Sequence, residues 1–383
     1  MAETKRVLIL AVRFGSGHWQ AALALKKALL RAHPALEVDV VNYLMFAGFL
    51  FDKVTRLTYH DLMIRVPPIY RRFFAYTDQL QPESLFQRFI RICGAPAFLR
   101  YFRRKNPQLI ISTFPVPSAA VAMLKQRGLV NCPLVTVITD YVLHQMWIQP
   151  GTDLYLVANS VVADELVRRG VPRERVEATG IPIDLRFERK TTPKLHRLLP
   201  DLPESQRSLP LVLVVSGVTS FGGELGKICH VLANLPAPLV AVVLGVRFPR
   251  LRLNLRAAVS KGRNRVFIIG YSRHMPRFMS AATCLISKAG GITASEALAS
   301  ELPMIIYKPL PCQEEWNRDF LVREGAALSA SSLAELDQLL RAVLQDGSLR
   351  ARMREAAVRL RHPDSARAAV RMLGPYLGQQ AAQ

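Results

Sequence analysis

The chain has 383 residues and is 50% hydrophobic, more apolar material than one ordinary core holds, so the expectation is two domains. Its formal charge of +22 turns the surface toward anions, whether nucleic acid, lipid headgroups or phosphorylated substrates, without choosing among them. Cys93, Cys132, Cys229, Cys284 and Cys312 show neither CxxC nor Cys/His spacing, which argues against a structural zinc or a disulfide scaffold. They read as reduced core residues of a cytoplasmic protein. The basic, apolar start MAETKRVLILAVRFGSGH is too short for a secretory signal and lacks a small-residue cleavage site. No run reaches the roughly 20 apolar residues that a transmembrane helix needs.

Val7 to Val12 reads as a buried parallel strand, Gly15-Ser16-Gly17-His18 as a turn, and Trp19 to Ala32 as a helix. The turn lacks the full GxGxxG and the acidic residue of a dinucleotide site. His18 lies at the helix mouth, where the dipole disfavours imidazolium and suits a neutral general base; a histidine that merely caps its helix reads the same. Residues 43–76 are dense in aromatic and large aliphatic side chains, Phe49 and Phe51 among them, interrupted by Lys53, Arg56, Arg65, Arg71 and Arg72. That composition describes either an element lying on a membrane or a buried arm with snorkelling arginines. Residues 83–105 add Arg88, Arg91, Arg100, Arg103, Arg104 and Lys105 with few acids, which favours the membrane.

Gln108 to Ser112 and Leu134 to Ile138 read as strands with a helix over Ala119 to Gln126, so a doubly wound parallel sheet is expected. Ligands of such sheets collect at carboxyl strand ends, which puts Asp140, His144 and Trp147 on the rim that holds His18. Asp140 would orient an imidazole or cap a helix, and Trp147 would pack on a sugar or acylglycerol or fill the core. This first domain spans 1–185, and the Pro-, Lys-, Arg- and Ser-rich segment 186–209 reads as a linker.

The second domain, 210–362, opens with Leu211 to Val215 and a glycine-rich turn from Ser216 and Gly217 to Gly223. Strands at Leu239 to Leu244 and Val266 to Ile269 follow, the latter ending at Gly270 and Tyr271, with Met275 just beyond. Thr283 to Ile286 then leads through Ser287, Lys288, Ala289, Gly290 and Gly291 into a helix near Ile292 that carries Thr293 and Glu296. Such a turn bares N–H groups at the positive end of a helix and lets a diphosphate approach, although many α/β proteins turn this way for packing alone. A strand at Met304 to Tyr307 precedes Gln313, Glu314 and Glu315 at another helix head. Residues 363–383 hold a last helix expected to return to the first domain.

SKAGGITASEAL with LPMIIYKPLPCQEEWN resembles the donor half of bacterial diacylglycerol glucosyltransferases and plant-type monogalactosyldiacylglycerol synthases, relatives of the transferase that completes the lipid-linked peptidoglycan precursor. FGSGHWQAA and TDYVLHQMW match the same family. The resemblance implies an α/β GT-B fold, two Rossmann-like domains facing a central cleft, with acceptor and membrane functions in the first and a UDP-sugar in the second. It implies inverting transfer of glucose or galactose from a UDP-sugar to 1,2-diacylglycerol, with a UDP-N-acetylglucosamine transferase or a UDP-sugar 2-epimerase as alternatives. Carried over by motif, Glu296 holds the ribose, and Gly290, Gly291, Ile292 and Thr293 the diphosphate, beside Ser216, Gly217 and Lys288. Gly270, Tyr271 and Met275 surround the uracil, and Gln313, Glu314 and Asn317 meet the hexose. His18, supported by Asp140, is the base; Gly15, Gly17, His144 and Trp147 face the acceptor. No Asp-x-Asp clamp occurs, so no catalytic metal and no permanently bound cofactor are expected. The expected partners are diacylglycerol and anionic lipids at the inner face of the cell membrane, and no nucleic acid; the oligomeric state stays open. The SGVTSFGGE loop, Cys312 and Trp316 depart from the family pattern and leave the phosphate contacts of that loop and the hexose preference open.

Overall fold

The computed structural model describes residues 5–13, 17–48, 66–80, 84–189, 195–217, 220–246 and 248–378. The chain divides into two units, Met1–Leu185 with Asp364–Gln383, and Arg186–Pro363.

In the first unit, strands β1 (Arg6–Ala11), β2 (Glu37–Asn42), β3 (Leu109–Ser112), β4 (Leu134–Val137), β5 (Leu154–Leu156) and β6 (Val176–Glu177) form a parallel sheet in the order β2-β1-β3-β4-β5-β6. The runs VLILA and LIIS are apolar almost throughout because both faces are covered. Strand periodicity divides them: Val7 and Ile9 pack toward helix α1 (Gly17–Ala32), whereas Leu8 and Leu10 pack on the opposite face. Helices α2 (Pro67–Gln79), α3 (Leu85–Ile92), α4 (Ala95–Lys105) and α5 (Pro115–Gln126) follow β2 in the chain, and α4 and α5 pack on the Leu8/Leu10 face. Helix α5 begins four residues earlier than the sequence pattern suggests, since Pro115 and Pro117 fall in the first turn, where a missing N–H costs nothing. Helix α6 is Ser160–Arg168.

The segment 186–209, expected as a linker, packs as part of the second unit. Helix α7 (Leu195–Leu198) lies within it, and Phe187, Leu199 and Leu202 are buried. Three buried apolar side chains outweigh its polar composition.

The second sheet is also parallel, in the order β12-β11-β10-β7-β8-β9. Its strands are β7 (Leu211–Val215), β8 (Val240–Leu244), β9 (Arg265–Ile268), β10 (Cys284–Ser287), β11 (Met304–Tyr307) and β12 (Ala327–Ala330). Helices α8 (Leu225–Asn234), α9 (Pro249–Val259), α10 (Met275–Ala281), α11 (Gly291–Ala299), α12 (Gln313–Arg323), α13 (Leu333–Gln345) and α14 (Gly347–Leu360) connect and flank them. Helix α15 (Ser365–Leu373) returns to the first unit, where Ala366, Ala369, Val370 and Leu373 close the core over α1.

The strand order reverses direction between β1 and β3 in one sheet and between β7 and β10 in the other. At such points the chain leaves to opposite sides and a crevice opens beyond the carboxyl ends. One buried amide ties the second sheet to its helix layer: Asn264 Oδ1 accepts from Leu239 N at 3.2 Å, and its Nδ2 donates to Leu232 O and Leu235 O at 3.0 and 2.8 Å. Asn264→Ala strands all three backbone groups away from water. It is expected to destabilise the second unit by about 2–4 kcal/mol, read as an earlier denaturant midpoint.

Candidate active site

His18 is the second residue of α1, at the crevice between β1 and β3. Its Nδ1 lies 2.8 Å from Thr139 Oγ1. Phe114, just after β3, meets the ring edge-on at 4.8 Å, and Trp147 lies behind it at 6.4 Å. Thr113 Oγ1 donates to the His18 carbonyl at 3.0 Å, pinning the first turn of the helix to the end of β3. The imidazole is half-buried among these groups. Burial lowers its pKa to about 4, with hydrogen bonding to the Thr113 backbone opposing the shift. The positive end of α1 acts in the same direction as burial.

Thr139, which sequence reasoning passed over, is bonded to the ring. Asp140 is half-buried at the next position. Trp147 is 1% exposed and belongs to the core with Leu143 and Tyr155, so it backs the imidazole and offers no open face to an acceptor. His144 is likewise buried and acts as a strut. Met146 N donates to its Nδ1 at 3.1 Å, which leaves the proton on Nε2, 3.2 Å from Phe74 O. Burial lowers its pKa, so it stays a neutral tie between α2 and the 144–147 turn. Asp78 of α2 reinforces that tie by accepting from Gln145 N at 2.7 Å and pairing with Arg169 at 3.0 Å.

Gly17 opens α1; Gly15, Phe49, Phe51, Arg56 and Arg65 lie outside the described residues. Arg71 and Arg72 are exposed on α2, on the same helix as exposed Ile69, Phe73 and Tyr76.

In the second unit the crevice between β7 and β10 brings Ser216 and Gly217 beside the turn 288–291. Gly217 has φ +60°, and a Cβ there would sit 3.6 Å from Lys288 Nζ. Lys288 is buried; burial lowers its pKa, and the Glu314 carboxylate opposes that. Ser216 is wholly buried beneath. A Cβ on Gly290 would lie 3.6 Å from Glu314 Oε1, while Leu310 N donates to Glu314 Oε2 at 2.7 Å. Asn317 is wholly buried and donates to Ala289 O at 3.1 Å, binding α12 to the turn. Ala289, Lys308 and Cys312 take left-handed φ values of +66°, +50° and +70°. Such strain persists only where surrounding bonds over-determine the backbone, and here it flanks one crevice.

Gly291 starts α11, with Ile292 buried, Thr293 half-buried in the first turn and half-buried Glu296 one turn on. Gln313 is half-buried at the head of α12. Across the sheet, Gly270 leaves room for Arg252, whose Nη1 would be 3.2 Å from an added Cβ. Tyr271 is 79% exposed, and half-buried Met275 begins α10. Sequence reasoning also missed a latch on the 216–223 loop: the Tyr307 hydroxyl donates to Glu224 and holds that carboxyl below its ordinary pKa. Among the described residues no group of three or more His, Cys, Asp or Glu side chains is placed to hold a metal ion.

Residues 18–183 match the family described as monogalactosyldiacylglycerol (MGDG) synthase, and residues 227–359 match glycosyl transferases group 1. The chain is a glycosyltransferase. Its two sheets have the GT-B build. A processive diacylglycerol beta-glucosyltransferase of Bacillus cereus is 28% identical over 366 residues, 96% of this chain and 92% of that protein. MurG of Acinetobacter baumannii superposes with a TM-score of 0.62 at 16% identity, covering 96% and 98% of the two chains. MnaA of S. aureus, solved with UDP, gives 0.63 at 14% identity over 99% and 98%.

The lowered pKa of His18 carries a stability signature. Between about 6.5 and about 4 the unfolded chain binds a proton that the folded transferase refuses, so stability falls as pH drops through that window. Denaturant midpoints at pH 7 and pH 4.5 are expected to differ less in His18→Gln than in the parent.

Proposed function

We propose that the transferase moves a hexose from a UDP-sugar to the free hydroxyl of 1,2-diacylglycerol at a membrane surface, with inversion at the sugar carbon. The observation that carries this reading is an imidazole kept neutral in the first turn of α1, with one ring nitrogen already committed. If Nδ1–H donates to Thr139, Nε2 keeps its lone pair for the acceptor proton. As the acceptor oxygen bonds to the anomeric carbon, its proton passes to His18 Nε2. The bond from that carbon to the phosphate oxygen breaks on the opposite face, and its electron pair leaves on UDP.

The leaving charge falls to the N–H groups of Gly291, Ile292 and Thr293 at the positive end of α11, with Lys288 beside them. Glu296 accepts from the ribose hydroxyls, Gly270, Tyr271 and Met275 border the uracil, and Gln313 and Glu314 meet the hexose. Asn317 serves by holding the turn. On the lipid side, exposed Ile69, Phe73 and Tyr76 with Arg71 and Arg72 suit a headgroup layer of anionic lipid, on the cytoplasmic leaflet. Among the described residues no helix is long and apolar enough to cross a membrane. Glucose, the sugar in the name of the Bacillus relative, is the first donor to try.

Labelled UDP-glucose and UDP-galactose, supplied separately with and without diacylglycerol in anionic vesicles, test the reading. Label is expected in the lipid phase only with diacylglycerol, and His18→Ala is expected to lose about 10²–10⁴-fold in rate. Consumption or isomerisation of the UDP-sugar without lipid would overturn the transfer in favour of an epimerase. Thr139→Val should lower kcat roughly tenfold, the worth of one orienting hydrogen bond, with KM for the UDP-sugar unchanged.

A further inference from the structure

Tyr307 ends β11 one step beyond the Ser287–Ile306 pair, which sets it level with Lys288 at the start of the turn into α11. It is 1% exposed and meets a segment 83 positions earlier in the chain. The hydroxyl donates to Glu224, just before α8, and the ring lies 6.3 Å from that of Phe221, which is wholly buried. Because β10 stands between β11 and β7, these contacts join segments that no strand pairing joins.

Phe221 takes φ +56°, where a bulky side chain is strained, and such a conformation persists only if its neighbours over-determine it. Tyr307 contributes on both sides of Gly223, with its ring against Phe221 and its hydroxyl on Glu224. The stretch so held begins at Gly217, where an added Cβ would lie 3.6 Å from Lys288 Nζ. Its placement therefore decides how closely backbone approaches that amine. A hydroxyl donating to a carboxylate makes a strong, charge-assisted bond, and this one holds the Glu224 carboxyl below its ordinary pKa. Glu224 also pairs with Lys227 at 3.5 Å, but an exposed pair of that length is worth little. Since Glu224 is only half-buried, water can replace a lost donor and the fold forfeits little. What goes is the tie that fixes this stretch in place.

We propose that Tyr307 is a positioning residue for the donor: its hydroxyl latches Glu224 so that Gly217 and the Ser220–Gly223 turn stand in place before a nucleoside diphosphate binds. The proposal rests on the reading of this crevice as the UDP-sugar site. Without the latch the turn spends only part of its time in place, and the apparent affinity falls by that fraction. Bound UDP-sugar then holds the turn itself, so the rate of the bound complex is spared.

UDP is titrated calorimetrically into the full chain, without lipid. Tyr307→Phe keeps the ring against Phe221 and is expected to weaken UDP binding about tenfold, the worth of one hydrogen bond to a charged group. Glu224→Ala should match it, whereas Glu224→Gln, which keeps an oxygen to accept the hydroxyl, should regain most of the loss. Tyr307→Phe combined with Glu224→Ala should bind no more weakly than either alone, because both remove the same bond. In turnover, KM for the UDP-sugar is expected to rise by the same factor while kcat changes less than about twofold. Matched thermal melts verify folding. Parent-like UDP affinity in Tyr307→Phe, or losses that multiply in the double variant, would overturn the latch and leave the donor reading standing. A parent chain that fails to bind UDP would overturn both.

Discussion

A parallel sheet covered on both faces leaves chemistry only one place to go, the carboxyl ends of its strands, and within them the point where the strand order reverses. Both units obey this constraint. In the first, the reversal lies between β1 and β3 and collects His18, Thr113, Phe114 and Thr139; in the second, between β7 and β10, it collects Gly217, Lys288 and the turn to Gly291. Each crevice is floored by buried apolar strands, and burial shifts the protonation of what lies above them. His18 is driven toward its neutral form and buried Lys288 is pushed the same way. A chain of charge +22 thus keeps, one in each unit, an imidazole whose burial favours its uncharged form and a buried lysine beside the Glu314 carboxylate.

The second theme is that rigid ties surround these groups. His144 and Asp78 buckle α2 to the 144–147 turn, Asn317 binds α12 to the turn at Ala289, and Tyr307 holds Glu224 at the end of the glycine loop. Positive φ values at Ala289, Lys308 and Cys312 are affordable only because of such bonds. Asn317 and His144, read from sequence as ligand contacts, are buried and also serve as struts between elements.

Much of the fold was legible because its signals are local. VLILA, LVLVV and MIIY announce buried parallel strands, and glycine turns into helices mark both crevices. What was not legible depends on contacts between distant residues. The His18–Thr139 bond spans 121 positions, and nothing local in the sequence singles out that threonine. Trp147 and His144 share a motif with the rim but face inward, because a segment leaving a strand end alternates between crevice and core. The 186–209 segment is polar by composition, yet three apolar side chains fasten it to the second unit.

The return of α15 to the first unit has a consequence for how the chain is made. Residues 365–377 complete a core begun at Val7, and Ile183 N donates to Ser365 Oγ at 3.3 Å across that seam. During synthesis the first sheet emerges early but waits, with the face that α15 will cover exposed, until the whole of Arg186–Pro363 has been made. The second unit is free to fold as an uninterrupted stretch, so the order of maturation runs opposite to the order of sequence. The helix that carries His18 is then secured last, after the second unit is already built.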